Sequence, residues 1–333
     1  MRAAPGGVRL AWLALAAACA APPALPAPEG TWAFTGPWDA RSAASLAAAE
    51  GSLDAVVTGW IALDSLSGAP RALYADGTRD RRGFAPRRLT LVTTWLGDRF
   101  HPAVATRLAA DPALLERVAR AVARLAADGR YRGLVLDLEG AAAADSLAVA
   151  SVVGALAREA RARGTGPVVV AVPATDTLAY RPRLLLAAAD LLLVMLYDQH
   201  WAGSRPGPVA SPEWAARWLD AWLAHAGPDR LVAGFPTYGY AWRAGTPGEV
   251  IGLPDLHDLA AKYGEVPQRD ARSGSLVVRA DSAVEAWAVD EAALRGLRAV
   301  ARDRGVTRIA LWRLGLEDPA LWHTHAGADE DRP

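Results

Sequence analysis

Lysine occurs once in this chain, at Lys262, and cysteine once, at Cys19, while 36 basic residues balance 36 acidic ones for a formal net charge of zero. The positive charge is therefore carried by scattered arginines, with no run suited to a phosphate backbone, and no nucleic-acid partner is expected. A lone cysteine leaves no disulfide framework and no cysteine-based metal site in the body of the chain. The six histidines form no cluster in the sequence, and His323 and His325 stand near the C-terminus with no acidic motif beside them, so neither a metal nor a cofactor is assigned.

What is present is a chain of 333 residues, 52% hydrophobic and only 22% charged, enough to bury a sizeable core as one large domain or two ordinary ones. Thirteen tryptophans exceed what such a core usually needs. Aromatic faces grip sugar rings, although tryptophan more commonly serves packing.

Residues 1–20 have the shape of an export signal: Arg2 and Arg9, then the apolar run Leu10–Ala18, then Cys19. The run is too short to span a bilayer comfortably, and a proline-rich linker occupies residues 21–30. Cys19 resembles the lipidated cysteine of a bacterial lipoprotein signal, which would anchor the protein to a membrane. The alternative is cleavage after Ala18-Cys19-Ala20 and free secretion. Either way the expected location is exported, periplasmic or cell-surface.

From Thr31 the sequence alternates strand-like and helical runs, the pattern of an α/β domain with a parallel sheet. Eight candidate strands, at Trp32–Thr35, Ala55–Trp60, Leu89–Thr94, Gly133–Leu138, Val168–Val172, Leu191–Tyr197, Leu231–Phe235 and Arg308–Trp312, predict a closed (β/α)8 TIM barrel over residues 31–325, with a tail at 326–333. Helical periodicity is clearest in Ala113–Ala127 and Glu213–His225. Ser211-Pro212 and Asp318-Pro319 carry cap-and-proline start signals. About 50 residues, Ala244–Val289, break the rhythm. They are expected to form a small α+β insertion between strands 7 and 8.

In such a barrel the site lies at the C-terminal ends of the strands. The fourth strand ends in Asp137 and Glu139, which share a face with Gly133 and Val135 and stand roughly 6 to 7 Å apart along the strand. The first strand leads to Trp38 and Asp39, the second to Trp60, the sixth to Tyr197 and Asp198, the seventh to Tyr238 and Tyr240, the eighth to Trp312. Acids and aromatics at one mouth favour a sugar polymer over a phosphorylated or metal-bound substrate. Trp38, Trp60 and Tyr238 would serve equally well as core, and His200 and Trp201 read as loop packing.

At these residues the chain resembles the family 18 glycoside hydrolases, the chitinase-like barrels. The family's fourth-strand signature Asp-Gly-x-Asp-x-Asp-x-Glu is matched at Gly133, Asp137 and Glu139, its Met-x-Tyr-Asp at Met195-Leu196-Tyr197-Asp198, and its eighth-strand tryptophan at Trp312. Longer strings, among them Gly234-Phe235-Pro236-Thr237-Tyr238-Gly239-Tyr240 and Leu311-Trp312-Arg313-Leu314-Gly315-Leu316-Glu317-Asp318-Pro319, look like the bacterial envelope branch, similar to spore-cortex glucosaminidases and to barrel modules joined to polysaccharide deacetylases. The resemblance implies substrate-assisted retaining hydrolysis of a β-1,4-linked N-acetylglucosamine-containing glycan such as chitin, peptidoglycan or exopolysaccharide. It also implies roles: Glu139 as general acid and base, Asp137 orienting the substrate's acetamido group, Tyr197 bonding its carbonyl, Asp198 placing the sugar and Trp312 flooring it. Trp38, Asp39, Trp60 and Tyr238 would contribute to binding.

Two departures stand out. The family's middle aspartate is Val135 here and its first is Arg132, so Asp137 must find another hydrogen-bond partner or keep its charge with water. The third-strand Ser-x-Gly-Gly is replaced by Thr93-Thr94-Trp95-Leu96-Gly97. An altered or weaker enzyme is expected. The competing readings are a non-catalytic carbohydrate-binding barrel, for which Val135 speaks, and an envelope scaffold.

Overall fold

The computed structural model describes residues 30–280 and 284–322. Cys19 with its apolar run, nearly all of the proline-rich linker, His323, His325 and the tail lie outside the described residues. Among the described residues no helix is long and apolar enough to cross a membrane.

Eight parallel strands form the barrel: β1 Thr31–Phe34, β2 Ala55–Leu63, β3 Arg87–Thr93, β4 Leu134–Asp137, β5 Val168–Pro173, β6 Leu191–Met195, β7 Leu231–Pro236 and β8 Ile309–Trp312. Each pairs with its predecessor, from β1–β2 through β7–β8, and the β8–β1 pairing completes the ring. All eight overlap the segments expected from the sequence, and the second runs three residues further, to Leu63. Nearly continuous Val/Leu/Ile runs suit strands buried on both faces. Alternation then sorts the side chains: Leu134, Leu136 and Leu138 of the β4 segment pack outward beneath the helices, whereas Val135 packs inward with Leu89, Leu91, Val169 and Met195.

The helices begin where the sequence signals them. Asp111 accepts a hydrogen bond from Leu114 N ahead of Pro112–Asp128, and Ser211 from Trp214 N ahead of Pro212–Leu223. Asp318-Pro319 starts only a short 3-10 turn, Pro319–Trp322. Its neighbour Glu317 is a buried hub that accepts from Gly315 N, Leu316 N, Ser45 Oγ and Trp322 Nε1.

One crossover departs from the regular alternation. Between β2 and β3 there is no helix; the chain makes a short strand, Pro70–Ala72, antiparallel to the end of β2, and then a loop. Asp76 pins that loop to the barrel, accepting from Thr58 Oγ1 on β2 (2.8 Å), from Arg88 Nη2 on β3 (2.5 Å) and from Thr78 Oγ1 and N. Arg88 in turn lies 4.8 Å over the Tyr131 ring. A buried, satisfied polar network thus stands where a helix would otherwise cover β2 and β3.

Between β7 and β8 lies the expected insertion, an antiparallel sheet of five strands with one helix, Leu253–Tyr263, against it. Its first strand, Gly239–Arg243, begins almost at the end of β7, ahead of Ala244. Glycine is required at that step, since a Cβ on Gly239 would sit 1.7 Å from the Trp287 carbonyl oxygen. Alternation again divides the strand: Ala241 faces the helix, while Tyr240 and Trp242 join Tyr238 and Trp287 in a cluster that meets Trp312 and Tyr197 at the barrel mouth.

Candidate active site

At the C-terminal ends of the strands opens a cavity of about 780 Å³ whose wall includes Asp137, Glu139, Tyr197, Asp198, Tyr238, Trp38, Trp60 and Trp312. The barrel brings together every site residue expected from the sequence within the described residues except Asp39. That carboxylate does not face the cavity; it lies behind Trp38, accepting from Arg41 N, Arg41 Nε and Arg313.

Asp137 is the last residue of β4 and pairs in register with Thr93 at the end of β3. This register answers the question that Val135 raised. Thr93 Oγ1 donates to Asp137 Oδ2 at 2.9 Å and accepts from Trp95 N at 2.9 Å, so its single proton is committed to the carboxylate. The other oxygen, Oδ1, is buried, and the carboxyl of Asp137 is also hydrogen-bonded to that of Glu139.

Glu139 follows two residues later, bracketed by a buried tyrosine from the loop after β5. Tyr180 Oη donates to Leu138 O (2.8 Å) and accepts from Ala141 N (3.2 Å), fixing the backbone on both sides of the acid. Burial pushes the Glu139 carboxyl well up, and the neighbouring charges of Asp137 and Asp198 push it further. Burial also raises Asp137, but hydrogen bonds from the Thr93 hydroxyl and from the Glu139 carboxyl oppose the shift. The two carboxyls therefore ionise at different points, with Glu139 keeping its proton longer.

Asp198 sits in the left-handed region, φ 60°, unusual for a residue with a side chain. Its carboxylate accepts from the hydroxyls of Tyr238 and Tyr240, the latter at 3.2 Å. Burial raises its pKa while these hydrogen bonds restrain it. Tyr238 thus serves as anchor for Asp198 as well as wall. Tyr197, whose pKa is lifted well above the usual range by burial and then by the surrounding carboxylates, remains a neutral hydroxyl donor. Trp312 forms the floor, edge-on to Phe34 at 5.3 Å and tilted against Trp60 at 6.0 Å; a cis peptide joins it to Arg313.

Sequence reasoning passed over several wall residues: Tyr74, Trp95, Phe100, Trp214 and Arg313 also line the cavity. Trp95 and Phe100 come from a two-stranded hairpin after β3 that stands where the Ser-x-Gly-Gly segment was absent, their rings 4.9 Å apart. An aromatic just past a strand end was the available signal for Trp95; Tyr74 and Trp214 arrive from loops and a helix start that strand spacing does not place. His200 and Trp201 lie in the loop after β6 outside the wall, His200 Nδ1 within 3.0 Å of Pro208 O. Among the described residues no group of three or more His, Cys, Asp or Glu is arranged to hold a metal ion.

No family model matches the chain. An uncharacterized glycosylase of Bacillus subtilis (strain 168), YvbX, is 26% identical over 140 residues, 40% of this chain and 41% of that protein. The chain spans about half the length, or less, of the curated relatives it matches. Among solved structures, a chitinase from Chromobacterium violaceum ATCC 12472 superposes with TM-score 0.79 at 24% identity, covering 91% of this chain and all of that one (100%). The spore cortex-lytic enzyme SleL of Bacillus megaterium QM B1551 gives TM-score 0.80 at 15% identity, over 90% of this chain and 74% of that one. These solved structures share one architecture with it: in fold, the chain is a chitinase-like (β/α)8 barrel.

Proposed function

We propose that this chain is an exported glycosidase that hydrolyses β-1,4-linked N-acetylglucosamine-containing glycans by substrate-assisted catalysis with retention. The observation that carries the reading is that Asp137, Glu139, Tyr197 and Trp312 line one aromatic-walled cavity at the C-terminal ends of the strands. Export, and anchoring through a lipidated Cys19, rest on the amino-terminal sequence.

With a glycan in the cavity, Glu139 gives its proton to the glycosidic oxygen as the bond to C1 breaks, a role worth about 10² to 10⁴ in rate. The carbonyl oxygen of the substrate's own acetamido group attacks C1 from the opposite face, forming an oxazolinium ion, so no enzyme nucleophile is needed. Asp137, anchored by Thr93 through Oδ2, accepts the acetamido N–H once Glu139 has given up its proton and stabilises the positive charge that develops there. Tyr197 donates to the acetamido carbonyl. Glu139, now a carboxylate, takes a proton from water as its oxygen bonds to C1, and the second inversion restores the original configuration.

A non-catalytic glycan-binding barrel is the second reading, favoured by Val135, whose apolar packing removes a carboxylate from beneath Asp137. The Thr93 hydrogen bond weighs against it. Turnover of N-acetylglucosamine oligomers and of their de-N-acetylated forms, with Glu139→Gln as control, separates the two. The proposal expects cleavage of the acetylated oligomers only, and a loss of at least 10² in kcat for Glu139→Gln. Equal turnover of both forms would overturn the substrate-assisted route, and glycan binding with no turnover would favour the binding barrel.

A further inference from the structure

Trp38 lines the cavity with half its surface exposed (50%), yet it is not left to move freely. Its ring meets Trp60 edge-on at 4.9 Å and Tyr74 at 5.9 Å, and the guanidinium of Arg313 lies over it at 5.4 Å. Arg313 is itself buried and held from several sides. Nη1 and Nη2 both donate to Asp39 Oδ2 at 3.1 Å, and its backbone carbonyl accepts from Thr237 Oγ1 at 2.6 Å. Room for the guanidinium depends on Gly36, where a Cβ would sit 2.6 Å from Nη1. Asp39 is fixed in turn by capping the helix Ala40–Ala49 and by Arg41, whose Nη1 reaches Asp255 Oδ2 of the insertion at 3.0 Å. A planar cation on one face of an indole both holds the ring and leaves its exposed part to a ligand.

We propose that Arg313 is a positioning residue: lying over Trp38 and locked by Asp39, it holds that indole as a platform for a sugar residue on the β1 side of the mouth. The platform acts on longer glycans and not on the bond being cleaved. The inference rests on the glycan reading above, and Asp39 enters it as the brace of the arginine, with no direct contact to sugar.

Binding of N-acetylglucosamine oligomers, from dimer to hexamer, is measured by calorimetry on the Glu139→Gln protein, so that no turnover intervenes. Adding Trp38→Ala or Arg313→Lys is expected to raise Kd for the hexamer roughly threefold to tenfold and to leave the dimer unchanged. Lysine keeps the charge near Asp39 but not the planar stack, so the double variant should bind no more weakly than either single one. In active protein the same variants should raise KM for long substrates by a larger factor than KM for short ones. Asp39→Asn, which keeps the helix cap while weakening the ion pair, should repeat the pattern if Arg313→Lys fails to fold. The proposal is overturned if hexamer affinity is unchanged, if dimer and hexamer weaken equally, or if the Arg313→Lys and Trp38→Ala effects multiply. Absence of any oligomer binding by the Glu139→Gln parent would overturn the glycan reading together with this one.

Discussion

Thr93 shows how much chemistry one side chain supplies. It stands opposite Asp137 in the β3–β4 register, and its hydroxyl, already accepting from Trp95 N, has one direction left in which to donate. Loss of that donor removes a charge-assisted hydrogen bond from a carboxylate that must be ionised to act. Thr93→Val is therefore expected to lower kcat/KM about 10- to 100-fold near neutral pH. The pH profile should move as well. Activity falls on the alkaline side as Glu139, raised by burial and by the charges of Asp137 and Asp198, loses its proton, and on the acid side as Asp137 gains one. Because the Thr93 hydrogen bond lowers the Asp137 pKa, its removal raises that pKa and shifts the acid limb to higher pH. A valine variant with an unmoved acid limb would show that Asp137 does not depend on Thr93. The acids themselves were legible in the sequence, since two carboxylates at the end of an apolar strand have few structural uses. Thr93 was not, because its meaning depends on the residue paired with it across the sheet.

At the scale of elements, the crossover without a helix is the informative one. Asp76 carries three side-chain hydrogen bonds from Thr58, Thr78 and Arg88. Burial alone would raise its pKa, yet those bonds more than offset it and hold the carboxyl at about 2, below the ordinary 3.8. A depressed carboxyl adds stability that is present in full above its unfolded-state value and is lost as the pH falls toward 2. Acid unfolding should thus begin in this loop between about pH 4 and 2, as hydrogen exchange of the β2 and β3 amides would register. Asp76→Ala leaves the Arg88 charge buried without its partner and should cost about 3 to 5 kcal/mol in denaturant unfolding. A cost below 1 kcal/mol would mean that solvent reaches Arg88. The capped helices, such as Pro112–Asp128, were readable from Asp111-Pro112 and apolar spacing, because both signals are local. No local pattern marks a helix replaced by a polar network whose members lie at positions 58, 76, 78 and 88.

For the molecule as a whole, the charges at the mouth matter more than the neutral total. Of the carboxyls in the cavity wall, Glu139 is held protonated near neutral pH while Asp137 and Asp198 can carry charge, and among the described residues the wall's one cation, Arg313, is already paired with Asp39. A cleft of this sign repels anionic ligands while leaving neutral glycans unaffected. Glycan strands bearing free carboxylates, such as the lactyl groups of peptidoglycan strands stripped of their stem peptides, are therefore expected to show kcat/KM at least about tenfold lower than neutral chitin oligomers of equal length, with the gap narrowing as salt rises. Equal rates at low salt would refute this selectivity. The insertion belongs to the same scale, because its first strand delivers Tyr240 to Asp198 and its second, Glu249–Ile251, brings Val250 to the cavity wall.

By itself the sequence determined the barrel and the identity of the acids. Eight buried apolar runs separated by amphipathic helices leave few ways to satisfy backbone hydrogen bonds, and strand ends in such a barrel converge on one mouth. Tertiary structure alone decided which neighbour serves which acid. Cross-strand register placed Thr93 against Asp137, the loop after β5 brought Tyr180 to brace the backbone beside Glu139, and the packing of Arg313 behind Trp38 drew Asp39 away from the cavity. Each is a contact between residues far apart in the chain, and hydrogen-bond geometry and packing acquire values only when the barrel has closed.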